Sequence, residues 1–213
     1  GLSLYALVLT LLIGVLSGII AALRQNTWID QFAMMIAMLG ISIPNFFLGL
    51  LMIVFFAVQL GWLPSGGYVP FAQDPIGWLR STTMPAISLA LLQAGLLARI
   101  TRSGMLEVLR QDYVRTARAK GLPERQVIFK HALANALIPI VTVVGIIISL
   151  LLSSAVVTEA LFSLPGMGQL LTQAVLSRDY PMVQGGLLLV TTFLVVVNIL
   201  VDILYALIDP RVR

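Results

Sequence analysis

The chain of 213 residues is 59% hydrophobic and only 10% charged, with a mean hydropathy of +1.02. Soluble domains carry roughly 25% charged residues, so this composition excludes a water-soluble globule and indicates a bilayer protein. The net charge of +4 is read in a membrane protein through its distribution and not as a nucleic-acid signal. With no cysteine, a disulfide framework, a thiolate metal site and a cysteine nucleophile are all excluded.

A hydrocarbon core of ~30 Å takes ~20 helical residues to cross, and five stretches reach that length. The first, 2–23, follows Gly1 directly, without the basic region or small-residue cleavage site of a signal peptide. The second, 32–60, is expected as one helix despite Pro44 and Gly49, because bilayer helices tolerate both residue types. The connection 61–83 carries Trp62, Tyr68 and Trp78, rings that suit the headgroup level. The third span is 84–103 and the fourth 134–157, separated by the most charged part of the chain. Segment 158–182 has a Pro165-Gly166 turn, an amphipathic run over 167–176 and a polar stretch with Arg178 and Asp179, which predicts a surface helix at the membrane interface. The fifth span, 183–208, places Asn198 and Asp202 on one face, with Asp202 expected to pair with Arg99 or Arg102. Polar groups are costly in a bilayer, so Asn45 beside Pro44, Gln93, Ser149 and Ser153 are candidates for lining a passage; interhelical hydrogen bonding is the even alternative.

Orientation follows from the cations. If 24–31 is cytoplasmic, that side holds Arg24, Arg99, Arg102, Arg110, Arg115, Arg118, Lys120, Arg125, Lys130, Arg211 and Arg213, and the other side only Arg80 and Arg178. Eleven against two is a positive-inside signal, and it puts the N-terminus outside and the C-terminus in the cytoplasm. An outside start without a signal implies a further helix upstream. The expectation is therefore an all-α polytopic protein, one membrane domain over 1–213, with five helices here and a sixth before them.

Residues 107–135 read as two short helices with a bend. Asp112 is expected to cap the first, whose cations fall toward its C-terminal end, where they suit the dipole. Gly121 is expected as a left-handed terminator. Pro123 and Glu124 then open a second helix. A loop that only sets topology accounts for the cations, but not for a capped helix with small residues, Ala117 and Ala119, followed by a glycine break. Those features suit a helix gripped by a soluble partner.

Catalysis finds no footing. The phosphate-cradling G-x-x-x-x-G-K-[ST] motif is absent, as is H-E-x-x-H. "GMG" at 166–168 follows no strand and reads as a turn, and His131 is the single histidine, with no neighbouring ligands. Neither a metal site nor an enzyme is expected.

"DYVRTARAKG" followed by "HALANALIP" resembles the cytoplasmic segment of the inner-membrane permeases of binding-protein-dependent ABC importers. That family's signature is Glu-Ala-Ala, three residues, then Gly; here Arg115-Thr116-Ala117 is followed three residues later by Gly121, so the second Ala and the Gly match. "TEALFSLPGMGQLLTQAVLSRDYPMVQG" and "VNILVDILYALIDPRVR" are similar to the dipeptide, oligopeptide and nickel branch. The resemblance implies that about 107–135 is a coupling segment docking on an ATPase, with Asp112, Tyr113, Arg115, Thr116, Ala117, Lys120, Gly121, Pro123 and Glu124 at the contact. It implies that 158–182 lies at the outer mouth, where Pro165, Gly166, Arg178 and Asp179 help to meet a solute-binding protein. It further implies a second permease, one or two ATPase subunits that carry the ATP and Mg, no cofactor on this chain, and a bacterial inner membrane. Di- or oligopeptides are the expected cargo. Nickel or another small solute is the alternative, and an ion-coupled secondary transporter using Asp202 or Glu159 is the alternative of a different class.

Overall fold

A computed structural model describes residues 1–208, apart from the side chains at 138, 202 and 204–208. Among the described residues every regular element is helical: α1 (Leu2–Leu23), α2 (Trp28–Ser42), α3 (Asn45–Met52), α4 (Pro75–Leu109), α5 (Asp112–Ala119), α6 (Glu124–Gln126), α7 (Ala134–Leu161), α8 (Met167–Leu176) and α9 (Tyr180–Ile208). Helix α3 runs on as wider π-type turns over Ile53–Gln59, and α6 joins α7 through similar turns over Val127–Leu133.

The long, apolar helices Leu2–Leu23, Pro75–Leu109, Pro139–Leu161 and Tyr180–Val201 meet the requirements of membrane spans. The expected single helix over 32–60 is instead a pair, α2 and α3 with its extension, bent by 102°. Pro44 is the cause. It has no N–H to donate and drives the residue before it out of the α region; Ile43 is extended, at φ −94° and ψ 121°. The third span is longer than 84–103 because polar residues start it properly. The Asp74 side chain accepts from the Ile76 N–H at 3.0 Å, and Pro75 occupies the first turn.

Helix α4 is the centre of the bundle, packing on α1, α2, α3 and α7. Its contact with α1 is close because α1 presents Ala6, Thr10, Gly14 and Gly18 at four-residue intervals, all buried. A Cβ on Gly14 would lie 2.8 Å from Leu97 Cβ, and one on Gly18 would lie 2.6 Å from Ala98 O. Thr10 Oγ1 donates to the Ala6 carbonyl at 2.8 Å, which keeps the hydroxyl satisfied inside its own helix. On the other side of α4, a Cβ on Gly95 would overlap the Ala37 carbonyl of α2. Ala86, Leu89, Leu97, Ile140, Ile147 and Leu151 fill the core where α1, α4 and α7 meet.

Helices α1 and α4 place Arg80, segment 61–74 and the α7–α8 turn at one end. Tyr5 and Trp78 rings lie 5.5 Å apart there, Phe71 meets Trp78 edge-on at 5.4 Å, and the Gly67 N–H donates to the Phe162 carbonyl at 3.0 Å. Arg24, Arg99, Arg102 and the cations of 110–130 gather at the opposite, basic end. Arg211 and Arg213 lie outside the described residues.

Gly18→Ala is expected to lower the midpoint of thermal unfolding in detergent, by an overpacking cost of roughly 1–3 kcal/mol. Gly185→Ala is the matched control, since nothing lies within 4 Å of a Cβ there, and it should hold or slightly raise the midpoint, because alanine is favoured over glycine inside a helix by up to about 1 kcal/mol.

Candidate coupling surface and outer segment

At the basic end, α5 has two faces. Val114 and Ala117 are buried against Val127, Val108, Leu109 and Leu122. Asp112, Tyr113, Arg115, Thr116, Arg118, Ala119 and Lys120 are exposed. The small-residue face expected from Ala117 and Ala119 is therefore split. Ala117 faces the chain's own interior because it lies three residues from Val114, on the stripe that seats the helix, and Ala119 alone of the two looks outward.

Asp112 is not the cap. Gln111, at φ −70° and ψ 148°, holds the capping position without a side-chain bond, and Asp112 is already the first helical residue. Its carboxylate still sits where the helix dipole favours it, and it reaches Arg115 at 3.7 Å in a fully solvated pair. The C-terminal end is as expected. Gly121 has φ +77°, its N–H donates to the Arg118 carbonyl at 2.9 Å, and the Leu122 N–H reaches back to the Ala117 carbonyl at 3.4 Å. This is the paired closure that needs a left-handed residue, with Leu122 in apolar contact below it.

Pro123 caps α6 and Glu124 opens it. The helix they start is not short and separate: through Val127–Leu133 it continues without a break into α7. The widened turns leave the His131 carbonyl free to accept from Asn135 Nδ2 at 2.8 Å and from the Tyr113 hydroxyl at 3.4 Å. Arg118 spans the bend, with Nη2 2.6 Å from Glu124 Oε1 and Nε 3.2 Å from both carboxylate oxygens. The Arg118 guanidinium holds the Glu124 carboxyl below the usual range. Arg118 had no sequence signal beyond its charge, since a partner six residues away lies outside helical spacing.

A second pair escaped sequence reading. Asp30, buried at the start of α2, takes Arg102 Nε at 2.6 Å and Nη2 at 2.7 Å, together with the Asn26 N–H at 3.0 Å. Arg102 is thus engaged by Asp30; the pairing expected of Asp202 rests on a side chain that lies outside the described residues. A lone carboxylate at the edge of one span, with Arg99 and Arg102 at the edge of another, was the available clue.

The passage candidates lie on three elements. Pro44 and Asn45 mark the bend, where Asn45 Oδ1 accepts from the Phe46 N–H at 2.8 Å. Gln93 is buried in the middle of α4, 3% exposed. Ser149 donates to Asn198 across the α7–α9 contact, and Ser153 donates to the Ser149 carbonyl at 3.0 Å, so this pair of serines ties helices and turns together.

At the other end, α8 covers the amphipathic run read from the sequence. Leu171 and Ala174 are buried beneath it, and it packs on α7 and α9. Pro165, Arg178 and Asp179 are exposed, and Gly166 is half-buried and turned toward Glu159. Arg178 has φ +57°, and Asp179 Oδ1 accepts from the Met182 N–H at 3.1 Å, turning the chain into α9.

The family model described as binding-protein-dependent transport system inner membrane component matches residues 14–213. The chain belongs to this family. A putative peptide transport system permease protein of Brucella abortus (strain 2308) is 52% identical over 212 residues, which cover all of this chain and 68% of that one. A di/tripeptide transport system permease protein of Pseudomonas aeruginosa (strain UCBPP-PA14) is 45% identical over 232 residues, covering all of this chain and 69% of its own length. Among solved structures, the inward-facing MetNI methionine ABC transporter superposes with a TM-score of 0.77 at 19% identity, over 98% of this chain and 91% of that one. That likeness establishes the permease fold.

Acidification tests the bend. Because the Glu124 carboxyl is depressed in the folded chain, the pair's contribution is complete above the ordinary carboxylate range and is lost as pH falls through the folded value. Both side chains are largely solvated, so the effect is of the order of 0–1 kcal/mol. Amide protection at 122–126, normalised for intrinsic exchange, should fall a few-fold on acidification, and Glu124→Gln should show the low protection already at neutral pH.

Proposed function

We propose that the chain is a transmembrane subunit of an importer that passes di- or oligopeptides across the cytoplasmic membrane of a bacterium, with ATP hydrolysed on a separate subunit. The observation that carries this is identity of 45–52% across the whole chain with proteins named for peptide transport. The same similarity favours peptides over nickel. Against an ion-coupled mechanism stands the carboxylate of Glu159, which is engaged by the Gly168 N–H at 2.8 Å.

In this reading the basic end faces the cytoplasm. The exposed face of α5, with Asp112, Tyr113, Arg115, Thr116 and Lys120, docks on the ATPase. Gly121, Pro123 and Glu124 set the bend beside it, and Ala117 supports the helix from within. Solute crosses between this chain and a second permease as the ATPases bind and release nucleotide and shift the pair between inward-open and outward-open states. Asn45 at the bend and exposed Ser153 are available to it, whereas Gln93 is enclosed by this chain's own helices. Pro165, Arg178 and Asp179 form an outer surface for a solute-binding protein.

Two experiments test these assignments. Single cysteines at Ser65 and Ser177, both exposed and at the end away from α5, should react with impermeant thiol reagents on intact cells, and one at Gln126 should not. Labelling of Gln126 would reverse the orientation. Thr116→Trp, on the outward face of α5, should abolish uptake and ATPase co-purification without lowering the unfolding midpoint. Ala117→Trp should lower the midpoint, because that site is only 7% exposed. Retained ATPase and normal uptake in Thr116→Trp would remove α5 from the docking surface.

A further inference from the structure

The carboxylate of Glu159 sits in the last turn of α7, where that helix gives way to the reversal that leads into α8. Oε2 accepts the Gly168 N–H at 2.8 Å, from the first turn of α8, where a helix favours negative charge. Among the described residues no ion pair reaches it. Two glycines make room for this contact. A Cβ on Gly166 would overlap the Glu159 carboxylate itself, and a Cβ on Gly168 would overlap the backbone of Val156, one turn before Glu159 on α7. Gly166 is extended, at φ −165°, a conformation open to any residue, and the nearest atoms a side chain there would meet are those of the Glu159 carboxylate. The reversal is fixed further by the Leu164 N–H donating to the Glu159 carbonyl at 2.9 Å, and by Phe162 and Leu164, both buried in the cluster with Met52 and Met84.

The same helix begins at the opposite end of the molecule. From Glu124, which Arg118 grips across the bend, helical turns continue through Val127–Leu133 and past Pro139 to Leu161, a path of roughly 55 Å at about 1.5 Å per residue. One end lies beside α5 and the other carries Glu159.

We propose that Glu159 is a positioning residue that locks α8 to the far end of α7, so that a displacement of α7 that begins beside α5 moves α8 and the outer surface with it. This rests on the reading of the chain as an importer permease. The clamp consists of one charged acceptor, one backbone donor and the two glycines, Gly166 and Gly168, that let the chain pass close to Glu159 and Val156.

The test uses the full-length permease in its assembled transporter, with a spin label on a single cysteine at Gln173, which is exposed on α8. Glu159→Ala should raise label mobility and cut the stimulation of ATP hydrolysis by loaded binding protein by roughly tenfold, the scale of one charge-assisted hydrogen bond. Basal hydrolysis and subunit assembly should stay intact. Glu159→Gln keeps an oxygen acceptor but loses the charge, and should fall between wild type and Glu159→Ala. Gly166→Ala leaves every polar group in place yet displaces the carboxylate, and should resemble Glu159→Ala. In the Glu159→Ala background the same Gly166→Ala change should do nothing more. Additive losses in the double variant, or unchanged mobility and stimulation in Glu159→Ala, would overturn the clamp. If Glu159→Ala fails to assemble, normal mobility in Gly166→Ala would overturn it equally. A wild-type complex without stimulated hydrolysis would overturn the importer reading instead, while the mobility measurements would still judge the clamp.

Discussion

The close approach of α1 to α4 is the constraint on which the other contacts rest. Lipid offers no hydrophobic drive between helices, so association depends on surfaces that allow backbones to come together. Gly14 and Gly18 create that surface, and Leu97, Ala98 and Thr101 of α4 occupy the space their missing side chains leave. With α1 seated, α4 offers its other sides to α2 through Gly95 and to α7 through Leu89 and Leu97. Asp30 and Arg102 then tie the α1–α2 turn to the basic end of α4. Such a pair adds little stability over apolar packing, but losing one partner strands the other charge, so it fixes register between two spans that would otherwise slide.

The two ends of the molecule are built on different principles. At the basic end, a short amphipathic helix lies on the wall of the bundle, held by Val114, Ala117 and Val127 below and by the Arg118–Glu124 pair across its bend. Its outward face carries charge and little apolar area, apart from Tyr113. At the far end the reversal from α7 to α8 is packed from inside, around Phe162, and satisfied by backbone groups. The first arrangement is suited to docking and release. The helix between them has widened turns near the basic end, where the His131 carbonyl accepts from Tyr113 and Asn135.

Much of this was legible in the sequence because it depends on local rules. Apolar length gave the spans, the cation bias separated two ends, Gly121 between a basic helix and Pro123 announced a left-handed stop, and the amphipathic run over 167–176 is α8. These features need only 3.6-residue periodicity, side-chain charge and the freedom of glycine. The family, too, was readable in "DYVRTARAKG" and the stretch after Thr158, and the match over 14–213 bears it out.

What the tertiary structure decided were facts about partners distant in sequence. Pro44 could kink a helix or break it, and only packing against α4 and α7 shows the 102° turn. Ala117 and Ala119 look alike in sequence, but Val127, ten residues beyond Ala117 and on another helix, determines that Ala117 faces inward. Asp30 finds Arg102 at a separation of 72 residues. Glu159 meets Gly168 across a reversal whose geometry no periodicity encodes. Local propensity specifies each helix because its hydrogen bonds close within one turn; which charged or small residue meets which depends on where the chain has already been folded.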